Sequence, residues 1–313
     1  MMKKLLAILL LCAMVLPALA EDAAPATDAG EDTLILELDE DGDIIAPLTP
    51  LPIDFSAGPE PAADAFTEDG YQDASLTVRM ERVWVNDARF NVARVTIADP
   101  SQLRTSLSCD FGKKRTALIS TMAKNVNAVV AIGGDYYMDR TKGYIVRQGN
   151  VYRTTLFKTL DILLIDQNAD FHIIRAGDKD ALSALLESGV QPVNVFNFGP
   201  ALVVDGEQQP ISNKYDFNPT GKEPRCAIGQ TGPLEYLLVV VDGRNAADSA
   251  GCTVETLAAF MLAQGCTQAY ALDGGNSALM VFGDENYSAK SKSAERDVSD
   301  IIYFATLIDS QAE

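Results

Sequence analysis

The stretch Glu235 to Phe282, EYLLVVVDGRNAADSAGCTVETLAAFMLAQGCTQAYALDGGNSALMVF, holds a strand, a helix and a second strand in close succession. Tyr236 to Val241 is an unbroken apolar run that stops at Asp242, Gly243 and Arg244, as a strand buried on both faces would. Thr253 is placed to cap a helix with Val254, Leu257, Met261 and Leu262 on one face, and Gly265 ends it. Gln268 to Leu272 is again apolar and stops at Asp273, ahead of Gly274, Gly275, Asn276 and Ser277. A crossover helix this short predicts a βαβ-like unit whose two strands run the same way. Both Asp-Gly corners then fall at one edge, where ligands collect in sheets of this kind. Neighbouring strands lie about 4.8 Å apart, or roughly double that if another intervenes, so Asp242 and Asp273 are placed to flank one small substrate. Gly274 and Gly275 tolerate left-handed backbone and leave amides to form an anion nest, and Arg244 adds a planar cationic fork.

Upstream, Leu76 to Ala98 alternates polar and apolar residues around Asn86 and Asp87, which predicts a β-hairpin. A short helix is expected in KRTALISTMAKN, a strand in VNAVVAIGGDYY, and hairpins turning at Gln148 to Asn150 and Asn168 to Asp170. A second helix, DALSALLESG, stops at Gly189. The expected class is therefore α/β (mixed α+β): a central mixed β-sheet with packed helices and a C-terminal βαβ-like unit, preceded by a β-hairpin region.

The first twenty residues carry two lysines, an apolar run from Leu5 to Leu16 and a small-residue ending at Ala18 and Ala20, a secretory signal expected to be cut after Ala20. Cys12 raises lipidation as an alternative, although Leu11 before it is bulky for that processing. Residues 21–75 hold sixteen acids and no Lys or Arg, which predicts a disordered acidic spacer, except for the apolar TLILEL at Thr33 to Leu38. Residues 76–124 are expected as a β-rich lead-in and 125–313 as the main domain. From Leu76 onward 28 acids face 23 bases, so the net charge of −19 comes mainly from the tail and nothing favours nucleic acid as a partner. No later stretch is apolar for long enough to span a membrane, and the chain is expected to be secreted or at the cell surface. Cys109, Cys226, Cys252 and Cys266 form no metal-binding spacing; export makes disulfides an alternative, and the favoured reading is buried free thiols. His172 is the sole histidine and sits in an alternating strand pattern, which argues against a Ser-His-Asp triad or a multi-His metal centre. Phosphate loops of the GxGxxG and Walker A types are absent.

In order, AVVAIGGDYY, FNFGPALVVDG, PRCAIG, LLVVVDGR, TVETLAAFMLAQGC, AYALDGGNSALMVF and ERDVSDIIYF resemble the blocks of the phosphodiester glycosidase family, over about Asn125 to Ile308. The resemblance implies hydrolysis of a sugar 1-phosphodiester at its glycosidic bond, on a phosphosugar or glycan of the cell surface or surroundings. The family's Gly-Asp-Tyr-Tyr falls on Gly134, Asp135, Tyr136 and Tyr137, and its Pro-Arg on Pro224 and Arg225. Its Asp-Gly-Arg falls on Asp242 to Arg244, its Leu-Asp-Gly-Gly on Leu272 to Gly275, its closing Arg on Arg296, and its first serine on Ser277. The chain departs from the pattern at Gly133, Ala271, Asn276, Ala278 and Leu279, where the family has polar residues or, at 276, glycine.

Phosphate is a weakly basic leaving group, so cations and amides holding it can replace a strong general acid. The expected roles give the phosphate to Arg225, Arg244 or Arg296 with the Gly274 and Gly275 amides. Asp273 or Asp135 is then the base or nucleophile, with Gly134, Tyr136, Asn276 and Ser277 beside the substrate. Two alternatives stay open. One is a non-catalytic module that binds glycan phosphate. The other is a phosphodiesterase in which the aspartates hold Ca²⁺ or Mg²⁺.

Overall fold

The computed structural model describes residues 56–309, together with the paired strands Glu37–Leu38 and Ile44–Ile45. The signal segment and most of the acidic stretch lie outside the described residues.

Three sheets share one core. A nine-stranded sheet runs from Glu207–Gln208 at one edge, through Ala201–Val204, Gln268–Leu272, Arg225–Gly232, Glu235–Val241 and Ala88–Ile97, to Leu76–Val85 and two short edge strands. The second sheet centres on Val130–Gly133, flanked by Met280–Phe282 and Asp300–Phe304. The third contains the hairpins Ile145–Arg147 with Asn150–Arg153 and Ile162–Asp166 with Phe171–Ile174, joined through Pro192–Phe196.

The apolar runs are continuous because both faces of each sheet are covered. Along Glu235–Val241, Tyr236, Leu238 and Val240 point into the shared core with Ile132, Phe196 and Phe304. The alternate residues Leu237, Val239 and Val241 pack under Leu257, Ala258 and Met261 of the Val254–Ala263 helix. The Ile119–Asn125 helix covers the outer face of the second sheet through Ile119, Met122 and Ala123, and the Lys179–Glu187 helix covers the third through Leu182 and Leu186. Each layer thus has its own helical lid, and the α/β class stands.

The expected hairpins form at the expected turns. Asn86 links its strands with a φ of 54°, and Gln148 and Gly149 do the same at 48° and 73°. The strand-helix-strand unit carries a difference. Arg225–Gly232 lies between Glu235–Val241 and Gln268–Leu272 and pairs antiparallel with both, with Cys226 opposite Val240 on one side and Leu272 on the other. The two strands therefore run the same way, as expected, but not as direct partners, and the ladders of this sheet are antiparallel rather than mixed.

Two expected boundaries move. Leu76–Val85 and Ala88–Ile97 pair directly beside Glu235–Val241, so the stretch 76–124 is part of the domain and not a lead-in to it. The last part of the expected spacer is also structured: Phe66–Thr67 and Gly70–Gln72 extend the large sheet, and Tyr71 is core. The aromatic pair of Phe66 and Tyr71, 4.7 Å apart, offsets the low apolar content of this segment.

Candidate functional site

Because one antiparallel strand separates two that run together, three chain ends meet at one edge: the start of Arg225–Gly232 and the ends of Glu235–Val241 and Gln268–Leu272. The second sheet joins there, since the Asp273 amide donates to the Gly134 carbonyl at 3.1 Å. A cavity of about 280 Å³ opens at this junction, lined by Tyr136, Phe198, Phe217, Arg225, Cys226, Arg244, Ala271, Asp273, Gly274, Gly275, Asn276 and Arg296, among others.

Asp273 is half-buried in this cavity and forms no ion pair among the described residues. Burial pushes its carboxyl up to about 6, with the neighbouring Asp135 adding to the rise while Ser277, Arg296 and Arg140 oppose it. The Ser277 hydroxyl lies near enough to act on Asp273 electrostatically, yet it is buried without a partner of hydrogen-bond geometry. Arg296 is exposed, stands 5.6 Å over the Tyr136 ring and forms no ion pair or hydrogen bond among the described residues. Its guanidinium is free to receive an anion.

The other expected site residues are placed differently. Asp242 is outside the cavity, and its carboxylate accepts from Arg89 at 2.6 Å, Asn91 at 2.9 Å and the Ala289 amide at 2.9 Å. These three donors make it a structural anchor for the corner, and, contrary to expectation, it does not line the cavity with Asp273. Asp135 is buried, accepting from the Tyr136 amide at 2.6 Å and the Asn197 amide at 2.8 Å, with Arg147 at 3.8 Å. It faces the interior and does not line the cavity.

Arg225 reaches the cavity wall, but its guanidinium donates to the carbonyls of Cys252, Phe217, Asn218 and Gly221. An arginine has five N–H donors, and four are spent on backbone. It holds the 217–221 loop in place and is neither a surface residue nor a free phosphate fork. Arg244 is paired with Glu223 at 2.8 Å and donates to Asn276 at 2.6 Å, so much of its charge is neutralised.

The glycine nest is half open. Gly275 has a φ of 59° but its amide donates to the Pro224 carbonyl at 2.8 Å. Gly274 has a φ of −106°, and a methyl group there would sit 2.9 Å from the Pro224 carbonyl oxygen. Gly274 is required by close approach, and Gly275 by its left-handed backbone.

Several residues at the site carried no local sequence signal. Arg147 and Asp300 form a fully buried pair at 2.7 Å, and the other Asp300 oxygen accepts from the Asp135 amide at 2.7 Å. Burial raises the Asp300 carboxyl to about 6, against the pull of Arg147. A methyl on Gly134 would meet Asp300 at 2.5 Å, so this pair locks the Gly134 turn that supports Asp273. Phe198 and Phe217 stack at 5.0 Å and form an apolar wall with Tyr136, whose ring is 6.2 Å from Phe217.

Among the described residues no group of three or more His, Cys, Asp or Glu is arranged to hold a metal ion. Asp242 and Asp135 are each engaged by protein donors, which leaves Asp273 as the one open carboxylate of the three, so the donors do not fit the Ca²⁺ or Mg²⁺ alternative. The four cysteines among the described residues are unpaired, and Cys109 is half-buried where the others are buried. His172 sits on its strand, 3.0 Å from Asp166. No helix among the described residues is long and apolar enough to cross a membrane.

Comparison with known proteins agrees with this architecture. The catalytic domain of zebrafish N-acetylglucosamine-1-phosphodiester alpha-N-acetylglucosaminidase, in a structure auto-inhibited by its pro-peptide, superposes with a TM-score of 0.58 at 16% identity, over 80% of this chain and 87% of that one. A hypothetical protein from Synechocystis superposes at 0.50 with 17% identity, over 73% and 62%. In sequence, the SPbeta prophage-derived uncharacterized protein YomE of Bacillus subtilis (strain 168) is 26% identical over 197 residues, 61% of this chain but only 30% of that protein. The phosphodiester glycosidase profile matches residues 125–305, more than half of the sequence, and the chain belongs to the phosphodiester glycosidase family.

Proposed function

We propose that this chain is an exported hydrolase that cleaves the glycosidic bond of a sugar 1-phosphodiester. The observation that carries the reading is the pairing of roles in one cavity: an unpaired, half-buried Asp273 with its carboxyl raised to about 6, and an uncommitted Arg296 beside it. Export rests on the N-terminal sequence alone.

In this reading the sugar packs against the wall of Tyr136, Phe198 and Phe217, which offers an apolar surface for one face of a pyranose ring. Arg296 and the Gly274 amide receive the phosphate. Water adds its oxygen to the anomeric carbon, and the bond from that carbon to the phosphate oxygen breaks. The bonding pair leaves on the phosphate monoester, and the water proton passes to Asp273. A base with a pKa near 6 is ionised at neutral pH and still basic enough to accept that proton. Arg296 offsets the charge that grows on the departing phosphate.

Product analysis tests the proposal. Purified protein incubated with a sugar 1-phosphodiester should release free reducing sugar and a phosphate monoester. Release of sugar phosphate instead would place the cut at the phosphorus, and no product across a panel of such diesters would leave a binding module.

A further inference from the structure

Behind the aromatic wall of the cavity lies a second one, and its chemistry differs from the rest of the molecule. It has a volume of about 430 Å³ and is lined by Lys142, Lys158, Arg175 and Lys179 with Asp178 as its acid, over a floor that includes Phe157. Asp178 is already engaged in capping its helix, accepting from the Ala181 amide at 2.9 Å. Arg175 is 3.5 Å from Asp161, which leaves it partly neutralised. The three lysines form no ion pair among the described residues, although elsewhere Lys113 and Lys222 each find an aspartate. In a chain of net charge −19, a concave site with four cations and one committed acid is a local reversal of sign. Concave walls concentrate such a field.

Arg140 lies close to both cavities without lining either, and its guanidinium donates to the Asn197 carbonyl. Its guanidinium is 5.5 Å from the Phe157 ring in the basic cavity, and 5.5 and 5.7 Å from Phe198 and Phe217 in the wall of the first. The Phe157 and Phe198 rings are therefore separated by at most twice 5.5 Å. The two cavities are thus near neighbours, close enough for one extended ligand to reach from the first to the second.

From this arrangement we infer that the basic cavity is a binding site for a second anionic group of the substrate, the next phosphate along a chain of sugar phosphodiesters. The inference rests on the proposed reaction and narrows its substrate from a single diester to an oligomeric or polymeric one. Lysine suits this task, since it acts as a mobile point charge that follows a flexible polyanion and needs no fixed fork geometry.

The test uses the full chain and the triple variant Lys142→Glu, Lys158→Glu, Lys179→Glu, with the corresponding triple Gln variant as a milder control for folding. Short-chain inorganic polyphosphate is titrated calorimetrically into each protein at low and at high salt. Wild type should bind at low salt and lose affinity as salt screens the lysines. Each triple variant should bind about tenfold or more weakly. In parallel, KM for a phosphodiester-linked oligosaccharide should rise in the variants while kcat/KM for a monomeric sugar 1-phosphodiester stays unchanged. Equal polyphosphate affinity in wild type and a folded triple variant, or no binding by wild type, overturns the inference. Failure to hydrolyse any diester overturns the proposed reaction instead, and leaves the polyphosphate result to decide the site on its own.

Discussion

Asp273 carries a measurable contradiction between stability and function. Its carboxyl is raised from 3.8 to about 6 because the folded protein buries it, so its ionised form is a burden on the fold. A group with a raised folded pKa lends stability only while protonated, below about pH 4, and that contribution is lost as pH climbs through 6. Asp273→Asn removes the charge and keeps the size, so the variant should melt higher than wild type at pH 7, by up to about 3 kcal/mol, with the gap closing below pH 4. Its hydrolysis of a diester should fall at least about a hundredfold, and wild-type kcat/KM should rise with pH through about 6 toward a plateau. An aspartate that merely closed a turn would show no such loss of rate. Sequence alone could not separate Asp273 from Asp242, because both follow an apolar strand and precede glycine. The distinction comes from Arg89 and Asn91, which engage Asp242 from a hairpin about 150 positions away in the chain.

The strands explain why the edge was legible and its neighbours were not. Apolar runs and a capped helix in one short stretch fix the direction of Glu235–Val241 and Gln268–Leu272, but nothing local announces that Arg225–Gly232 slips between them. That insertion brings Arg225 to the site and ties it to the 217–221 loop, a role that no spacing of charges encodes. Arg225→Met should therefore act on the loop. It leaves four carbonyls without their donor and should cost on the order of 3 kcal/mol, read as a lower melting temperature. Because Phe217 belongs to this loop and lines the cavity, KM should rise more than kcat falls. A fall in kcat with KM and stability unchanged would return Arg225 to the role of phosphate ligand. At the glycine loop, Gly275→Ala should strain a left-handed residue by about 1 kcal/mol or more, while Gly274→Ala pushes against the Pro224 carbonyl and shifts the Asp273 turn itself.

On the scale of the whole molecule, the shared core makes the sheets interdependent, so the point at which the chain can be shortened without harm is set by burial and not by composition. The acidic run continues in sequence up to Ser75, and composition alone places the boundary there. Tyr71, however, is 2% exposed within the core that Leu76, Val78 and Phe304 help to form, and its hydroxyl donates to Asp73 at 2.7 Å. Asp73 in turn accepts from the amides of Ser75 at 2.7 Å and Leu76 at 2.8 Å, and also from the Thr306 hydroxyl, which ties the start of the domain to its last strand region. These few polar links and one aromatic side chain outweigh the surrounding acids because they are buried and mutually satisfied. A chain begun at Ser56 keeps them, and a chain begun at Leu76 loses them all. Burying one large side chain contributes about 1.5 to 3 kcal/mol, and the severed hydrogen bonds add to that. For a domain of this size each kcal/mol moves the midpoint by about 2 to 4 °C, so the chain begun at Leu76 should melt roughly 5 to 15 °C below the one begun at Ser56. Calorimetric scans of the two proteins at one pH and salt concentration decide the matter, and equal midpoints would show that Phe66–Thr67 and Gly70–Gln72 decorate the sheet edge without supporting it.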